Sequence, residues 1–286
     1  MARSSFMNEA WTPLRLISWT QGYFDRAGVD APRLTAELLL AHALACDRVR
    51  LYLDFDKPLS ETELSRFRGL VKRRAEGEPT AYLVGQREFC GRPFHCDGRA
   101  LIPRPETELL VEAVLEAMPE NACVLDLCTG TGCIGISLAL ARPEARVLAS
   151  DLSQGALELA RENARNLGAR LEFAEGDLFE PVPKGSRFHL IVANPPYVPT
   201  CELAHLAREV RREPALALDG GPEGLDLARR IVAEAPGRLL PGGSLFLEMH
   251  EKHEERLPAL CREAGFSTAV VKLDLARLPR FVVACL

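Results

Sequence analysis

The chain of 286 residues contains no apolar run long enough to span a membrane, and its first six residues lack the apolar core of a secretory signal. Positive charge is not in excess: 35 Lys and Arg stand against 40 Asp and Glu, for a net charge of -5. This balance gives no support to broad nucleic-acid binding. Internal repeats and low-complexity tracts are also missing. The 47% hydrophobic and 26% charged content predicts a soluble globular protein of one large or two ordinary domains.

The nine cysteines are an odd number and lie mostly inside apolar segments. This favours reduced thiols in a cytoplasm over a disulfide framework. Cys90, His95 and Cys96 are of residue types that can bind a metal ion. However, their spacing matches no standard zinc pattern, and no second cysteine pair follows at a usual distance. We therefore predict a cytoplasmic protein without a bound metal.

The hydrophobic pattern divides the chain into three regions. Residues 1–80 are predicted to be helical, with helices opening at Thr12-Pro13 and Asp30-Ala31-Pro32 and a capping box at Ser60 to Glu63. One side of the last helix is basic, and we expect it to be a solvated face rather than a binding patch: Arg66, Arg68, Lys72, Arg73 and Arg74. Residues 81–105 are predicted to be a linker, in which residues 89–96 form a hairpin.

Residues 106–286 form the third region, in which apolar strands alternate with helices. Such repeated units predict an α/β fold, with a mostly parallel sheet and helices on both faces. A short link joins the last two strands, so the last strand is expected to be antiparallel. The predicted strands are 123–127, 146–151, 171–173, 188–192, 243–248, 268–273 and 281–286.

The stretch Asn194-Pro195-Pro196-Tyr197 follows one of these strands, at the edge where open α/β sheets bind their ligands. Asn194 and Pro195 each precede a proline and so favour extended backbone. Pro195 and Pro196 have a fixed φ and no backbone N–H. The segment therefore offers carbonyl oxygens, one amide side chain and one aromatic ring in fixed positions. This arrangement suits a planar group that carries N–H donors.

A second motif, Gly130-Thr131-Gly132-Cys133-Ile134-Gly135, fits the pattern G-x-G-x-x-G between a strand and a helix. Asp151 follows about twenty residues later at the end of the next strand, where a carboxylate can bind ribose hydroxyls. Taken singly, these residues are ordinary turn glycines and a helix-capping aspartate. Together they predict a cofactor that contains adenosine, either a dinucleotide or S-adenosylmethionine.

The tetrapeptide at Asn194 favours S-adenosylmethionine, because a dinucleotide enzyme has no need of it beside the ribose site. An amide or exocyclic nitrogen is a poor nucleophile, since its lone pair is delocalised. If the Asn194 side-chain oxygen and the Pro195 carbonyl accept its two N–H bonds, its lone pair points at the methyl group. These bonds strengthen in the transition state. Tyr197 either packs against the planar group or only forms the pocket wall.

These residues resemble the S-adenosylmethionine-dependent methyltransferases of planar nitrogens. Residues 101–108 and 213–226 further resemble the PrmC/HemK family of protein-glutamine methyltransferases. The resemblance implies a Rossmann-like methyltransferase sheet and a helical N-terminal domain that docks the protein substrate. It also implies methylation of the glutamine side-chain amide in the Gly-Gly-Gln motif of peptide-chain release factors.

The resemblance implies a role for each site residue. The residues that bind the glutamine would be Asn194, Pro195, Pro196 and Tyr197. Arg104 would join them from a rigid loop over the pocket. The catalytic residues would be Asn194, Pro195 and Tyr197. The cofactor would contact Cys128, Thr129, Gly130, Thr131 and Gly132 at its methionine end, Asp151 at the ribose, Asp177 and Leu178 at the adenine, and Asn194.

Two positions depart from the family pattern. Cys128 replaces a glycine, so we expect its side chain to point away from the cofactor. A nucleophilic role for Cys128 is disfavoured because no base is recognisable near it. Leu178 stands where some members carry an aromatic residue, so apolar contact would replace stacking on the adenine.

Three other functions stay open at this point. They are glutamine methylation of a ribosomal protein, adenine-N6 methylation of nucleic acid, which the tetrapeptide alone also fits, and a non-catalytic binding role. We expect a monomer whose partners are release factors, with no membrane partner and no direct nucleic-acid substrate.

Overall fold

The computed structural model describes residues 10–286. These residues form two compact units. The first contains the chain up to Gly85 together with Arg208–Arg212, and the second contains Gln86–Ala207 and Glu213–Leu286. Residues 1–9, which include the segment that lacks a secretory core, lie outside the described residues.

The first unit is helical, as the pattern of its sequence predicts. Proline opens its first two helices, where the missing N–H would have no helical partner. Ser60 and Glu63 form the predicted capping box. Two helices of six and five residues were not predicted, because they are too short to show a hydrophobic period. The helices are α1 (Pro13–Ala27), α2 (Pro32–Ala43), α3 (Arg48–Leu53), α4 (Glu61–Ala75) and α5 (Thr80–Val84).

All five helices contribute buried residues to the core of the first unit, and one arginine enters it. Arg74 lies seven residues after the buried Phe67 and three after the buried Val71, which places it on the same helix face. Its guanidinium pairs with Glu209. The expectation of a solvated basic face is therefore wrong for Arg74, while the other four basic residues are exposed: Arg66, Arg68, Lys72 and Arg73.

The second unit opens with a hairpin over residues 86–95, which was predicted over residues 89–96 of a linker. Strands β1 (Gln86–Phe89) and β2 (Arg92–His95) pair antiparallel. Cys90 and Gly91 connect them, and both have positive φ, 48° and 69°. Two consecutive positive φ values are typical of the tight turns that match the twist of a hairpin.

A seven-stranded sheet follows, in the order β5-β4-β3-β6-β7-β9-β8. Strand β9 is antiparallel to both of its neighbours, and the other pairings are parallel, as predicted. The strands are β3 (Cys123–Leu127), β4 (Arg146–Asp151), β5 (Glu172–Glu175), β6 (Phe188–Ala193), β7 (Leu239–Glu248), β8 (Thr268–Leu273) and β9 (Pro279–Cys285). The helices are α6 (Pro105–Ala117), α7 (Cys133–Ala141), α8 (Gln154–Leu167), α9 (Asp226–Arg238) and α10 (Arg256–Glu263).

Helix α9 and the first four residues of β7 were not predicted. Pro236 lies inside α9, and residues 240–243 of β7 carry a proline and two glycines, so both segments resemble loops in sequence. Two apolar clusters fill the space between the sheet and its helices. Within the part of the chain that the structure describes, no helix has the length and apolar character needed to cross a membrane.

The strand order positions the site. From β3 the chain proceeds outward to β4 and β5, then returns to the other side of β3 as β6 and β7. Ligands of open α/β sheets bind at such a reversal, outside the carboxyl ends of the strands. The carboxyl ends of β3, β4 and β6 lie on either side of this reversal.

Candidate active site

A cavity of about 980 Å³, counting its open mouth, lies at this edge of the sheet. The predicted cofactor residues on its wall are Cys128, Thr129, Gly130, Asp151, Asp177, Leu178 and Asn194, and the predicted substrate residues there are Arg104 and Pro196. Thr131, Gly132, Pro195 and Tyr197 are not on this wall. The structure thus brings most of the predicted residues together around one space.

The glycine-rich turn approaches the cavity at Gly130. The φ of Gly130 is 56°, and a Cβ added there would meet no atom within 4 Å. The space beside this backbone is therefore open for a ligand. The backbone N–H of Gly130 donates to Asp151 Oδ2 at 2.9 Å, which fixes the turn against the next strand.

Asp151 holds two backbone segments at once. Its Oδ1 accepts from the N–H of Ser153 at 2.9 Å, while Oδ2 accepts from Gly130. Ser153, rather than Asp151, caps α8. Burial raises the pKa of Asp151 above its ordinary value, although these hydrogen bonds oppose the shift.

Asp126 supports the same turn from within β3, and sequence reasoning did not single it out. Its Oδ2 accepts from the Thr129 hydroxyl at 2.6 Å and from the Gly135 N–H at 2.9 Å. Burial raises the pKa of Asp126 to about 7. The signal was a lone acid in an otherwise apolar strand, which is unfavourable unless the acid is hydrogen-bonded.

Cys128 lies on the cavity wall with a φ of 57°, a conformation that favours glycine. Burial raises the pKa of its thiol, so the thiol stays protonated at neutral pH. A protonated thiol is a weak nucleophile.

The residues predicted at the adenine end are held by their neighbours. Asp177 Oδ2 accepts from Arg230 Nη2 at 2.8 Å. Leu178 is buried and has a φ of 49°. Together with Leu152 and Leu227 it gives the cavity an apolar wall.

The Asn194 side chain ends at a buried polar cluster. Asn194 Nδ2 donates to Thr107 Oγ1 at 3.3 Å, and the Thr107 hydroxyl donates to Glu248 Oε2 at 2.7 Å. The Tyr197 hydroxyl lies 3.5 Å from Glu248 Oε1. Burial raises the pKa of Glu248 from 4.5 to about 7. Burial, followed by the Glu248 charge, raises the pKa of the Tyr197 phenol.

The tetrapeptide is backed by a close backbone contact. Val198 and Asp219 form a parallel bridge behind it. A Cβ added at Gly220 would come within 2.8 Å of the Pro196 carbonyl oxygen and of the Tyr197 Cα. Only glycine allows this approach.

Arg104 is placed by Glu213. Glu213 accepts from the Ile102 N–H at 2.9 Å and from Arg104 Nη2 at 2.5 Å. The carboxylate therefore holds the proline-flanked loop at the cavity wall. The segment after Glu213 adds Pro214, Leu216 and Ala217 to the same wall.

Sequence reasoning did not assign Thr107, Glu213 or Glu248 to the site. Glu248 had a usable signal, since it is a polar residue at the carboxyl end of a strand, the same rule that identified Asn194 and Asp151. Thr107 offers no such signal, because it lies in the first turn of a helix. No group of three or more His, Cys, Asp or Glu residues suited to a metal ion occurs between residues 10 and 286.

Comparison with known proteins supports this description. A PrmC N-terminal domain model matches residues 15–85, and a methyltransferase small domain model matches residues 105–221. The release factor glutamine methyltransferase of Geobacter sulfurreducens is 46% identical over 275 residues, covering 96% of each chain. The protein of the same name from Deinococcus radiodurans is 42% identical, covering 94% of this chain and 96% of its own.

Solved structures share the fold. A methyltransferase from Pyrococcus furiosus superposes with a TM-score of 0.53 at 17% identity, over 68% of this chain and 89% of its own. A 16S rRNA methyltransferase of T. thermophilus, in complex with AdoMet and guanosine, gives a TM-score of 0.52 at 23% identity, over 70% of this chain and 49% of its own.

The match of residues 105–221 to the methyltransferase small domain, which includes the cavity residues at Gly130, Asp151 and Asn194, identifies a methyltransferase that depends on S-adenosylmethionine. The near full-length identity then places the chain more narrowly. It belongs to the family of the release factor glutamine methyltransferases. The predictions of a Rossmann-like methyltransferase fold, a helical N-terminal domain and this cofactor are confirmed.

The cavity fits this cofactor in its chemistry. A carboxylate that can accept from hydroxyl groups lies at Asp151, and open space adjoins the Gly130 backbone. The apolar wall at Leu152, Leu178 and Leu227 suits a purine ring. The roles of the individual residues stay predictions.

Proposed function

We propose that this enzyme methylates the side-chain amide nitrogen of the glutamine in the Gly-Gly-Gln motif of peptide-chain release factors. The observation that carries the proposal is the position of Asn194. A neutral amide, rather than an acid or a base, lies on the wall of the cofactor cavity at the carboxyl end of β6. The names of the relatives that match nearly the whole chain support the choice of substrate.

An amide nitrogen must be held rather than deprotonated in advance. Bound S-adenosylmethionine supplies an electrophilic methyl group. The oxygen of Asn194 and the carbonyl of Pro195 accept the two N–H bonds of the glutamine amide, which orients its nitrogen. Pro195 cannot compete as a donor because it has no N–H. As the nitrogen gains positive charge, both hydrogen bonds strengthen, so they stabilise the transition state more than the ground state. As the bond to the methyl carbon forms, the nitrogen loses one of its two protons to water, which leaves the neutral N-methyl amide.

The predicted cofactor residues act by binding. Cys128 to Gly132 bind the methionine end, and Cys128, Thr129 and Gly130 of this segment lie on the cavity wall. Asp151 accepts from the ribose hydroxyls. Asp177 and Leu178 flank the adenine. Pro196 and Tyr197 complete the glutamine site, and Arg104 contributes from the loop that Glu213 holds.

The proposal extends to the setting of the enzyme. The helical unit docks the release factor, and the enzyme acts as a monomer without a nucleic-acid substrate. It works in the cytoplasm. All nine cysteines fall within the described residues and are free thiols, in keeping with a reducing compartment.

The test is mass spectrometry of a release factor after incubation with the enzyme and S-adenosylmethionine. We expect one added methyl group on the glutamine of the Gly-Gly-Gln motif, and none on a release factor in which that glutamine is replaced by alanine. Ribosomal proteins and adenine-containing DNA serve as competing acceptors. Methylation of either one, with the release factor unmodified, would overturn the proposal.

Asn194→Ala tests the chemical role of the amide. We expect turnover to fall by at least about a hundredfold, because the nitrogen loses an acceptor that strengthens in the transition state. Binding of S-adenosylmethionine, measured by calorimetry, should change only a few-fold. Turnover that survives within a few-fold contradicts the orientation mechanism.

A further inference from the structure

A buried chain of hydrogen bonds lies behind Asn194. It runs from Asn194 Nδ2 to the Thr107 hydroxyl at 3.3 Å and from that hydroxyl to Glu248 Oε2 at 2.7 Å. Thr107 is 1% exposed and Glu248 4% exposed. Groups so deeply buried exchange little with water, so their hydrogen-bond partners are the ones that the fold provides.

The fold alone brings these residues together. Strands β6 and β7 pair in parallel with Ala193 opposite Leu247. The residues that follow these two, Asn194 and Glu248, therefore lie side by side. Thr107 comes from the first turn of α6, far away in sequence. The Tyr197 hydroxyl approaches the second oxygen of the carboxylate at 3.5 Å. Both oxygens of Glu248 are thus approached by hydroxyl groups.

The hydrogen bonds behind Asn194 run in one direction, because the groups differ in whether they can donate or only accept. An ionised carboxylate only accepts, and a threonine hydroxyl has a single proton to donate. When the Thr107 hydroxyl donates its hydrogen bond to Glu248, the Thr107 oxygen can only accept a hydrogen bond from Asn194. The partner must then be the NH₂ end of the Asn194 amide. The Asn194 oxygen is turned the other way, and no hydrogen bond from the described residues reaches it.

We propose that Thr107 and Glu248 are positioning residues of the methyl transfer, which fix the Asn194 amide so that its oxygen meets the substrate. This inference rests on the proposed function, because it requires Asn194 to accept an N–H bond from the substrate amide. If the amide were flipped, its NH₂ would face the NH₂ of the substrate. Two donors cannot bond to each other, and the substrate nitrogen would lose an acceptor.

Thr107→Val removes the hydroxyl with little change in volume. We expect kcat to fall on the order of tenfold to a hundredfold, since a wrongly oriented amide is a lost acceptor. The affinity for S-adenosylmethionine should stay within about threefold, because the cofactor contacts assigned above do not include Thr107. Thr107→Ser keeps the hydroxyl and should retain most of the turnover.

Thr20→Val is the matched control. Thr20 is fully buried in α1 of the helical unit, and its Oγ1 has no hydrogen-bond partner among the described residues. The same substitution there removes a hydroxyl that orients nothing, so kcat should not change. Melting temperatures of all variants identify any that fail to fold.

Thr107→Val combined with Glu248→Gln tests whether the two residues act through one chain. If they do, the double variant loses no more kcat than the more severe single variant. The proposal would be overturned if the kcat losses of the two single variants multiplied in the double variant. A Thr107→Val enzyme with normal kcat would also overturn it. A Thr107→Val enzyme with weakened cofactor binding and unchanged kcat would show direct ligand contact instead, which also overturns it. Failure of the proposed function is distinguished by Asn194→Ala, which would then keep its turnover.

Discussion

At the scale of single residues, the site is held by carboxylates that bind the protein's own backbone and hydroxyl groups. Asp126 and Asp151 fix the glycine-rich turn from two strands, and Glu213 fixes the loop that carries Arg104. Glu248 lies behind Asn194. Each removes freedom from a ligand-facing segment before a ligand arrives, which lowers the cost of ordering it on binding.

Asp151→Ala should weaken the binding of S-adenosylmethionine by about tenfold or more, because hydrogen bonds to a charged group are lost. The Gly130 N–H also loses its partner, so the turn beside the ligand is less ordered. Glu175→Ala is the control, since Glu175 ends the neighbouring strand β5 and is exposed. Calorimetry measures both affinities, and an unchanged value for Asp151→Ala removes the ribose assignment.

Single-residue rules predicted part of this site from the sequence. Asn194, Asp151 and the Gly130 turn follow strands directly, so local patterns identify them. Thr107 was missed because it lies on a helix 141 residues from Glu248 in sequence and meets it only through tertiary packing. Glu248 was missed although it ends a strand. The burial that raises the pKa of Glu248 likewise results from the whole fold.

At the scale of elements, two loop segments at the carboxyl edge are joined by a backbone bridge. The bridge between Val198 and Asp219 places Gly220 directly behind the tetrapeptide. The stiffness of Asn194-Pro195-Pro196-Tyr197 therefore has two sources. One is the fixed φ of its prolines, and the other is this backing segment.

Gly220→Ala should disrupt the tetrapeptide without unfolding the sheet. The added Cβ would lie 2.8 Å from the backbone of Pro196, Tyr197 and Gly224, so the backbone must shift. We expect kcat to fall at least about tenfold, because small misplacements of a positioned acceptor are costly. Cofactor affinity should change less.

Gly237→Ala is the control for this change. Gly237 lies in α9, and a Cβ there meets nothing within 4 Å. It should keep full activity and raise stability by about 1 kcal/mol, as alanine favours a helix over glycine. Equal activity losses in both variants would contradict a specific role for Gly220.

Helices and strands with a clear hydrophobic periodicity were predicted well, and those with a weak periodicity were not. The strands and the capped helix α4 were found because their patterns are local. Helix α9 and the start of β7 were missed because tertiary packing overrides their proline and glycine content.

At the scale of the whole molecule, stability and activity make opposite demands on one carboxyl group. The pKa of Glu248 is raised by burial to about 7, with Glu106 acting in the same direction and Arg280 opposing. A raised pKa gives stability that is present below pH 4.5 and is lost as the pH rises through about 7. The inferred direction of the hydrogen bonds behind Asn194, however, requires that Glu248 Oε2 carry no proton, which only the ionised form guarantees.

Glu248→Gln should therefore stabilise the protein relative to wild type, and more so at high pH. The difference in unfolding free energy should grow by about 1 to 3 kcal/mol between pH 5 and pH 8. Comparing the two proteins cancels the opposite contribution of His250 and His253, whose pKa values burial lowers. Thermal melts at several pH values measure the difference, and a constant offset contradicts the buried-acid assignment.

The helical N-terminal domain was predicted from the change in pattern along the chain, but one part of the first unit was beyond local reasoning. Residues 208–212 belong to the helical unit although they follow β6 in sequence. Glu209 supplies the partner of buried Arg74, a pairing that no pattern within α4 reveals. A charged residue at a core position of a helix was the only available hint.

The burial of the thiols also decides how the wild-type protein can be labelled. Cys201 is the one exposed cysteine among the nine, all of which the structure describes. It lies four residues beyond Tyr197, in a short turn of 3₁₀ helix. A maleimide dye should therefore attach there first, without engineered cysteines. The native chain thus carries a fluorescence reporter position next to the segment that would receive the substrate.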